Sequence, residues 1–260
     1  MGNTAIDLSQ KVIVITGANA QLASDVVIAL YQEDARLVLS SRNLEKLNAW
    51  IAKCGLESDR VLTVKTDVTN IDDVKDLMKK CMDRFGRLDV LITFAGVQVR
   101  KPAIDMSVEE WQYVLDVNLT GTFFAAQSAA EYMHKQGKGK IILVSSLTAE
   151  IGLPNMAAYV ASRGGIKQLA KGLAVEWAGE GITVNCIGPG RFHTRMTDDI
   201  FLNEQTRKSF LACIPMGRPG VPSDLVGISL FLCSDSSDYF TGQSFYPDGG
   251  WLASGGSAIS

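Results

Sequence analysis

VIVITGANAQLASDVV, residues 12–27, is the stretch whose reading decides the fold. A β-branched apolar run ends at Thr16, turns at Gly17, and resumes with apolar residues at helical spacing. That pattern predicts a strand running through a tight turn into a helix. The first turn of such a helix presents unpaired N–H groups, a ready site for phosphate. The glycine-rich form of this turn uses one glycine for the bend, a second for close approach to a pyrophosphate and a third for helix packing. Here Gly17 keeps the first place, while Gln21 and Ala23 hold the other two.

Further apolar runs follow at 36–40, 61–65, 88–93, 140–145, 182–187 and 243–247, after the first at 11–16. Most are apolar on both faces, as in a sheet covered on both sides. Helical patterns fall near 22–32, 43–54, 70–85, 107–134, 156–179 and 222–233. The alternation predicts an α/β fold: a Rossmann-like, doubly wound, seven-stranded parallel sheet with helices on both faces. No linker or repeat divides it, so 1–260 is expected to be one domain. The stretch 188–221 is long for a connection and is expected to act as a lid over a site.

Composition narrows the function. The 260 residues are 47% hydrophobic and 20% charged, which describes a globular chain. A net charge of −3 advertises no surface for nucleic acid or anionic lipid. No apolar stretch approaches the ~20 residues that span a bilayer. Five scattered cysteines without a C-x-x-C pair suit reduced thiols in the cytoplasm. Two histidines and no clustered cysteines give a metal site no support.

In a sheet of this kind, ligands sit beyond the carboxyl ends of the strands. The loops after Thr16, Thr93, Ser145 and Ile187 should therefore share one crevice. Their sequences, taken with others along the chain, are TGANAQLA (16–23), TDVT (66–69), TFAG (93–96), DVNLTGTF (116–123), ILVSSLTA (142–149), YVASR (159–163), GPGRFHT (188–194) and YPDGGW (246–251). Together, in order and over nearly the whole chain, they resemble the short-chain dehydrogenase/reductase family. The C-terminal half looks most like the branch acting on sugar acids and polyols.

The resemblance implies roles. Tyr159 matches the catalytic tyrosine, Ser146 the serine that holds the substrate oxygen, and Asn118 the asparagine that supports a proton relay. The nucleotide positions fall on Gly17, Asn19, Gln21, Leu22, Asp67, Val68, Ala95, Gly96, Pro189 and Thr194. Arg42, after a strand that ends without an acidic residue, suits a 2′-phosphate and so NADP. The resemblance also implies a homotetramer or homodimer and a small hydroxylated substrate.

Two departures carry weight. Gln21 places a side chain where a pyrophosphate should approach. Arg163 stands where the family has the lysine that also binds ribose, and arginine is not a conservative exchange at such a site. Tyr159 and Arg163 are four apart on a helical pattern and share a face. A free phenol, near pKa ~10, is a poor base at neutral pH, and a neighbouring cation favours the phenolate. Both departures spare proton transfer and weaken cofactor binding. Ser146, Tyr159 and Arg163 match in spacing the trio of the halohydrin dehalogenases, which resemble the same family. The expectation is a cofactor-independent lyase of that type, or a related elimination or isomerisation, with Tyr159 as base. Its leaving anion would sit near Gln21, Phe94, Pro189, Phe192 and His193. The alternative is an NADP(H)-dependent alcohol or polyol dehydrogenase or ketone reductase.

Overall fold

Each of the seven apolar runs forms a strand of one parallel sheet. The strands are β1 Val12–Thr16, β2 Arg36–Ser41, β3 Val61–Lys65, β4 Val90–Thr93, β5 Gly139–Val144, β6 Ile182–Ile187 and β7 Ser244–Phe245. Their order is β3-β2-β1-β4-β5-β6-β7, with every pairing parallel. This computed structural model describes residues 6–56, 59–194 and 202–257. β7 stops two residues before Pro247, which has no N–H to give to a ladder.

The helices are α1 Ser24–Gln32, α2 Leu44–Lys53, α3 Ile71–Phe85, α4 Val108–Leu115, α5 Gly121–Gln136, α6 Ala157–Trp177, α7 Glu204–Ala212 and α8 Val226–Cys233. Alternate strand residues point to opposite faces, and two cores result. Ile13, Ile15, Leu37 and Ile92 pack with Val27 and Leu30 of α1 and Leu232 of α8. Val12, Val14, Val38 and Leu91 pack with Leu77 of α3, Ala129 of α5 and Ile166 of α6. Burial on both faces explains why β1 reads as an unbroken apolar run.

Two expectations change. The pattern over 107–134 is not one regular helix: a five-residue π turn, Asp116–Thr120, separates α4 from α5. Thr122 donates its hydroxyl to the Asn118 carbonyl at 2.6 Å. A Cβ at Gly121 would meet Val68 at 2.8 Å, so the helix packs directly on the loop after β3. Wide turns of this kind recur at functional sites. The expected lid also carries a helix, α7, capped by Asn203, whose side chain accepts from the Gln205 and Thr206 amides. Residues 195–201 of that stretch lie outside the described residues. No helix among the described residues is long and apolar enough to cross a membrane.

At the sheet's amino end, Lys11 and Lys138 both reach Asp235, at 2.7 and 3.1 Å. The hydrogen bond from Lys11 leads in holding the Asp235 carboxyl down at about 2, Lys138 adds to it, and burial opposes. A carboxyl depressed from ~3.9 stabilises the fold above that value and loses the contribution as pH falls towards its folded pKa. Asp235→Asn should therefore lower stability to urea at pH 7, and the gap to the parent chain should close as pH falls to about 2.

Candidate active site

The strand order reverses between β1 and β4, and the crevice opens beyond their carboxyl ends. Gly17 makes the bend there with φ +66°. A Cβ on it would lie 2.5 Å from the Ala95 nitrogen and 2.6 Å from its Cα. The loops after β1 and β4 touch backbone to backbone at this point, and no larger residue fits. The Ala18 amide donates to the Ser40 carbonyl at 2.9 Å, fixing the bend against β2.

After the bend the chain makes a 3-10 turn, Gln21–Ala23, before α1 begins. Neither Ala20 nor Ala23 caps these starts with a side chain. The positive end of α1 and its turn is left for an anion. Ala23 is fully buried in the core, and Leu22 packs on its edge. Asn19 and Gln21 are exposed. The side chain at 21, at the start of this turn, is therefore exposed rather than buried in the bend.

Around the rim, Arg42 is exposed after β2 and Asp67 follows β3. Asp67 accepts from the Thr69 amide at 3.0 Å and its hydroxyl at 2.7 Å. Burial pushes the Asp67 carboxyl up, but the Thr69 bonds and the charge of Arg42 together hold it below its ordinary value. Val68 is buried against Gly121.

Tyr159 and Arg163 lie on one face of α6. The Arg163 guanidinium is buried, with its carbon 4.8 Å from the Tyr159 ring centroid. Nη1 donates to the Val144 carbonyl at 2.9 Å, and Nη2 lies where a Cβ at Gly96 would come within 2.4 Å. Nε has no hydrogen-bond partner among the described residues. A carbonyl and an aromatic face meet this buried charge. Ser146 follows β5 and its Oγ accepts from the Thr148 amide at 3.2 Å. Its neighbours tie the loop down: Ser145 donates to the Arg163 carbonyl at 2.8 Å, and the Leu147 amide to the Pro189 carbonyl at 3.0 Å.

Asn118 is fully buried in the π turn. It accepts from the Val97 amide at 2.8 Å and donates to the Val97 carbonyl at 2.9 Å and to Ser162 Oγ at 3.0 Å. Ser162 in turn donates to the Tyr159 carbonyl at 2.7 Å. A continuous chain of bonds thus joins the loop after β4 to the tyrosine's own backbone. Ser162 was not among the residues singled out from sequence; its place inside YVASR, one turn past Tyr159, was the available signal. Tyr246, Glu150 and Lys167 were missed too. Tyr246 and Lys167 both bond the Glu150 carboxylate, and Tyr246 covers Gly188. The Lys167 bond leads in holding Glu150 low, while burial and then Glu150 raise the Tyr246 phenol.

The residues expected to form an anion pocket differ in their surroundings. Phe94 and Phe192 are 7% and 5% exposed and share the core that contains Ile92 and Leu30. Both rings are largely buried, as favours an aromatic side chain, and Phe192 also lines the cleft beside Arg191. Pro189 and Thr194 are buried. His193 is exposed, and its amide donates to the Gly220 carbonyl at 2.9 Å.

A family model described as enoyl-(acyl carrier protein) reductase matches residues 17–252. The 2-dehydro-3-deoxy-D-gluconate 5-dehydrogenase of Escherichia coli is 34% identical, covering 96% of this chain and 98% of its own. The 3-oxoacyl-[acyl-carrier-protein] reductase of Thermotoga maritima is 35% identical, covering 94% and 98%. Among solved structures, a gluconate 5-dehydrogenase from Burkholderia cenocepacia in complex with NADP and tartrate superposes with a TM-score of 0.90. It is 30% identical and the match covers 95% of this chain and 97% of that one.

These likenesses overturn the expectation of a cofactor-independent, halohydrin-type lyase. The relatives are dehydrogenases and reductases, and one carries NADP. The physical reason lies in the two departures. Gln21 is exposed rather than buried in the bend, and Arg163 lies with its guanidinium against the Tyr159 ring. Gly17→Ala tests the bend. Its methyl group would meet backbone at a positive φ, costing at least ~1–3 kcal/mol. At about 2–4 °C per kcal/mol for a chain of this size, differential scanning calorimetry should record a fall of several degrees.

Proposed function

The chain belongs to the short-chain dehydrogenase/reductase family, and on that premise we propose an NADP(H)-dependent oxidoreductase that interconverts a hydroxyl and a carbonyl on a small substrate. The observation that carries this reading is the bend at Gly17, packed on Ala95 and followed by an uncapped helix start. Such a start suits a pyrophosphate. In this reading the backbone from Gly17 through Asn19 and Gln21 to Leu22 holds the phosphates. Arg42 takes the 2′-phosphate, since β2 ends in serines and offers no acid to a ribose diol. Asp67 and Val68 flank the adenine. Ala95, Gly96, Pro189 and Thr194 border the nicotinamide end. When bound, the nucleotide would supply or accept a hydride at the substrate carbon.

The chain's own residues handle the substrate oxygen. Tyr159 takes its proton in the oxidative direction and returns it in the reductive one. Ser146 donates a hydrogen bond to the same oxygen. Arg163, under the Tyr159 ring, stabilises the charge left when the proton departs. Because Nη1 is given to Val144, Arg163 is assigned to the tyrosine before the ribose. Asn118 and Ser162 fix the backbone that carries Tyr159. In this reading the described parts of the flank, 188–194 and 202–221 with α7, lie over the crevice. Trp111 and Tyr113 on α4 stay 38% and 42% exposed, which fits contact with further copies of the chain. The cysteines are free thiols, which fits a reducing compartment such as the cytoplasm.

Calorimetric titration with NADPH and NADH is the direct test. Micromolar binding with NADPH preferred is expected, and Arg42→Ala should remove the preference. No binding up to about millimolar, weaker than ~4 kcal/mol, would sink the proposal. Tyr159→Phe should cut turnover by about 10²–10⁴ without weakening NADPH. Arg163→Lys should lower kcat more than it changes NADPH affinity, measured by turnover and titration together.

A further inference from the structure

Arg191 belongs to the GPGRFHT segment, yet neither the proton-transfer set nor the nucleotide positions include it. Residues 191–193 run extended beside Gly220: Gly220 donates to the Arg191 carbonyl and His193 to the Gly220 carbonyl, each at 2.9 Å. Phe192 packs on the core and also touches the edge of a cleft, and Arg191 lines that same cleft with Arg218, Tyr246, Asp248 and Gly249.

The guanidinium is stacked there. Its carbon lies 4.7 Å from the Phe210 ring centroid and 5.5 Å from that of Trp251. Its one hydrogen bond to protein among the described residues is a long one, Nη1 to the Phe210 carbonyl at 3.5 Å. No carboxylate of the described residues lies within ion-pair distance of it, whereas other cations of the chain are matched. Arg218 is gripped by both oxygens of Asp224, at 2.6 and 2.8 Å. Lys101 is held by Glu110 and Lys167 by Glu150. Asp248 is near, but its two oxygens already accept the Gly250 and Leu252 amides, each at 2.8 Å. Burial pushes the Arg191 guanidinium down from its ordinary value, as expected of a cation partly taken from water.

The position relates this cation to the reacting oxygen. Phe210 and Trp251, which sandwich it, pack against Leu147. Leu147 follows Ser146 in the chain and bonds back to Pro189. Through Leu147, the cluster under the guanidinium adjoins the loop that carries Ser146. Aromatic faces fix its plane, and a fixed guanidinium fork suits two carboxylate oxygens.

We propose that Arg191 is the specificity-determining anchor for a substrate carboxylate, so that the preferred substrates are hydroxy acids and their keto acids. This rests on the oxidoreductase reading for the chemistry, though not for the binding.

The test uses the full chain and two probes of equal length, D-gluconate and the uncharged D-glucitol, titrated by calorimetry with and without NADPH. The expected result is that gluconate binds at least about tenfold more tightly. Arg191→Met should erase that difference and leave glucitol unchanged, and Arg191→Lys should restore part of it. In the unmodified sequence, gluconate should also shield Arg191 from phenylglyoxal, read by peptide mass mapping. This readout does not depend on a variant folding. Equal binding of the two probes, or modification of Arg191 unaffected by gluconate, overturns the proposal. If gluconate is bound through Arg191 but NADPH is not bound at all, the redox reading fails and the anchor stands. If NADPH binds and Arg191 is indifferent to gluconate, only the anchor fails.

Discussion

The contact between Gly17 and Ala95 is the constraint on which the rest depends. β1 and β4 are neighbours only because the chain reverses its winding between them. Their loops meet backbone to backbone, since a single methyl group at position 17 would fill the gap. That closeness aims the start of α1 across the crevice. It also brings the loop after β4 to the π turn, where Asn118 seizes both polar groups of Val97. From there Ser162 carries the link to Tyr159. The tyrosine is thus positioned by a buried, hydrogen-bonded path, and such paths are rigid when every member is satisfied.

Arg163 shows how a substitution that looks disruptive can be absorbed. A buried guanidinium is expensive unless its donors and charge are met. Here Val144 offers a carbonyl, Tyr159 its ring, and Gly96 the room. The absence of a side chain at 96 and the length of the one at 163 are a matched pair. Arg191 is a second stacked cation, on the other flank of the crevice. The two differ in surroundings: one is enclosed against the fold, the other borders a cleft.

Much of the architecture was legible. Strand positions followed from apolar runs, because burial on both faces leaves a signal that no polar alternation dilutes. Tyr159 and Arg163 followed from a spacing of four, which helix geometry turns into a shared face. The reading went astray where it treated a position as a place. A side chain at 21 points to a blocked phosphate site, yet Gln21 is exposed rather than buried in the bend. Phe94 and Phe192 both pack in the core, and only Phe192 also reaches the edge of the cleft beside Arg191. The break at Asp116–Thr120 was hidden because a π turn keeps helical composition while altering its phase.

By itself, then, the sequence determined the parallel sheet, its strand runs, the bend at Gly17 and the shared face of Tyr159 and Arg163, all features set by local spacing and burial. Tertiary structure alone decided where the side chains at 21, 94, 163, 191 and 192 point. Those directions depend on which backbone stands opposite, and the chain brings that backbone from residues far away in sequence. The Asn118–Ser162 bond, for example, spans 44 positions. No periodicity within one segment encodes such a partner.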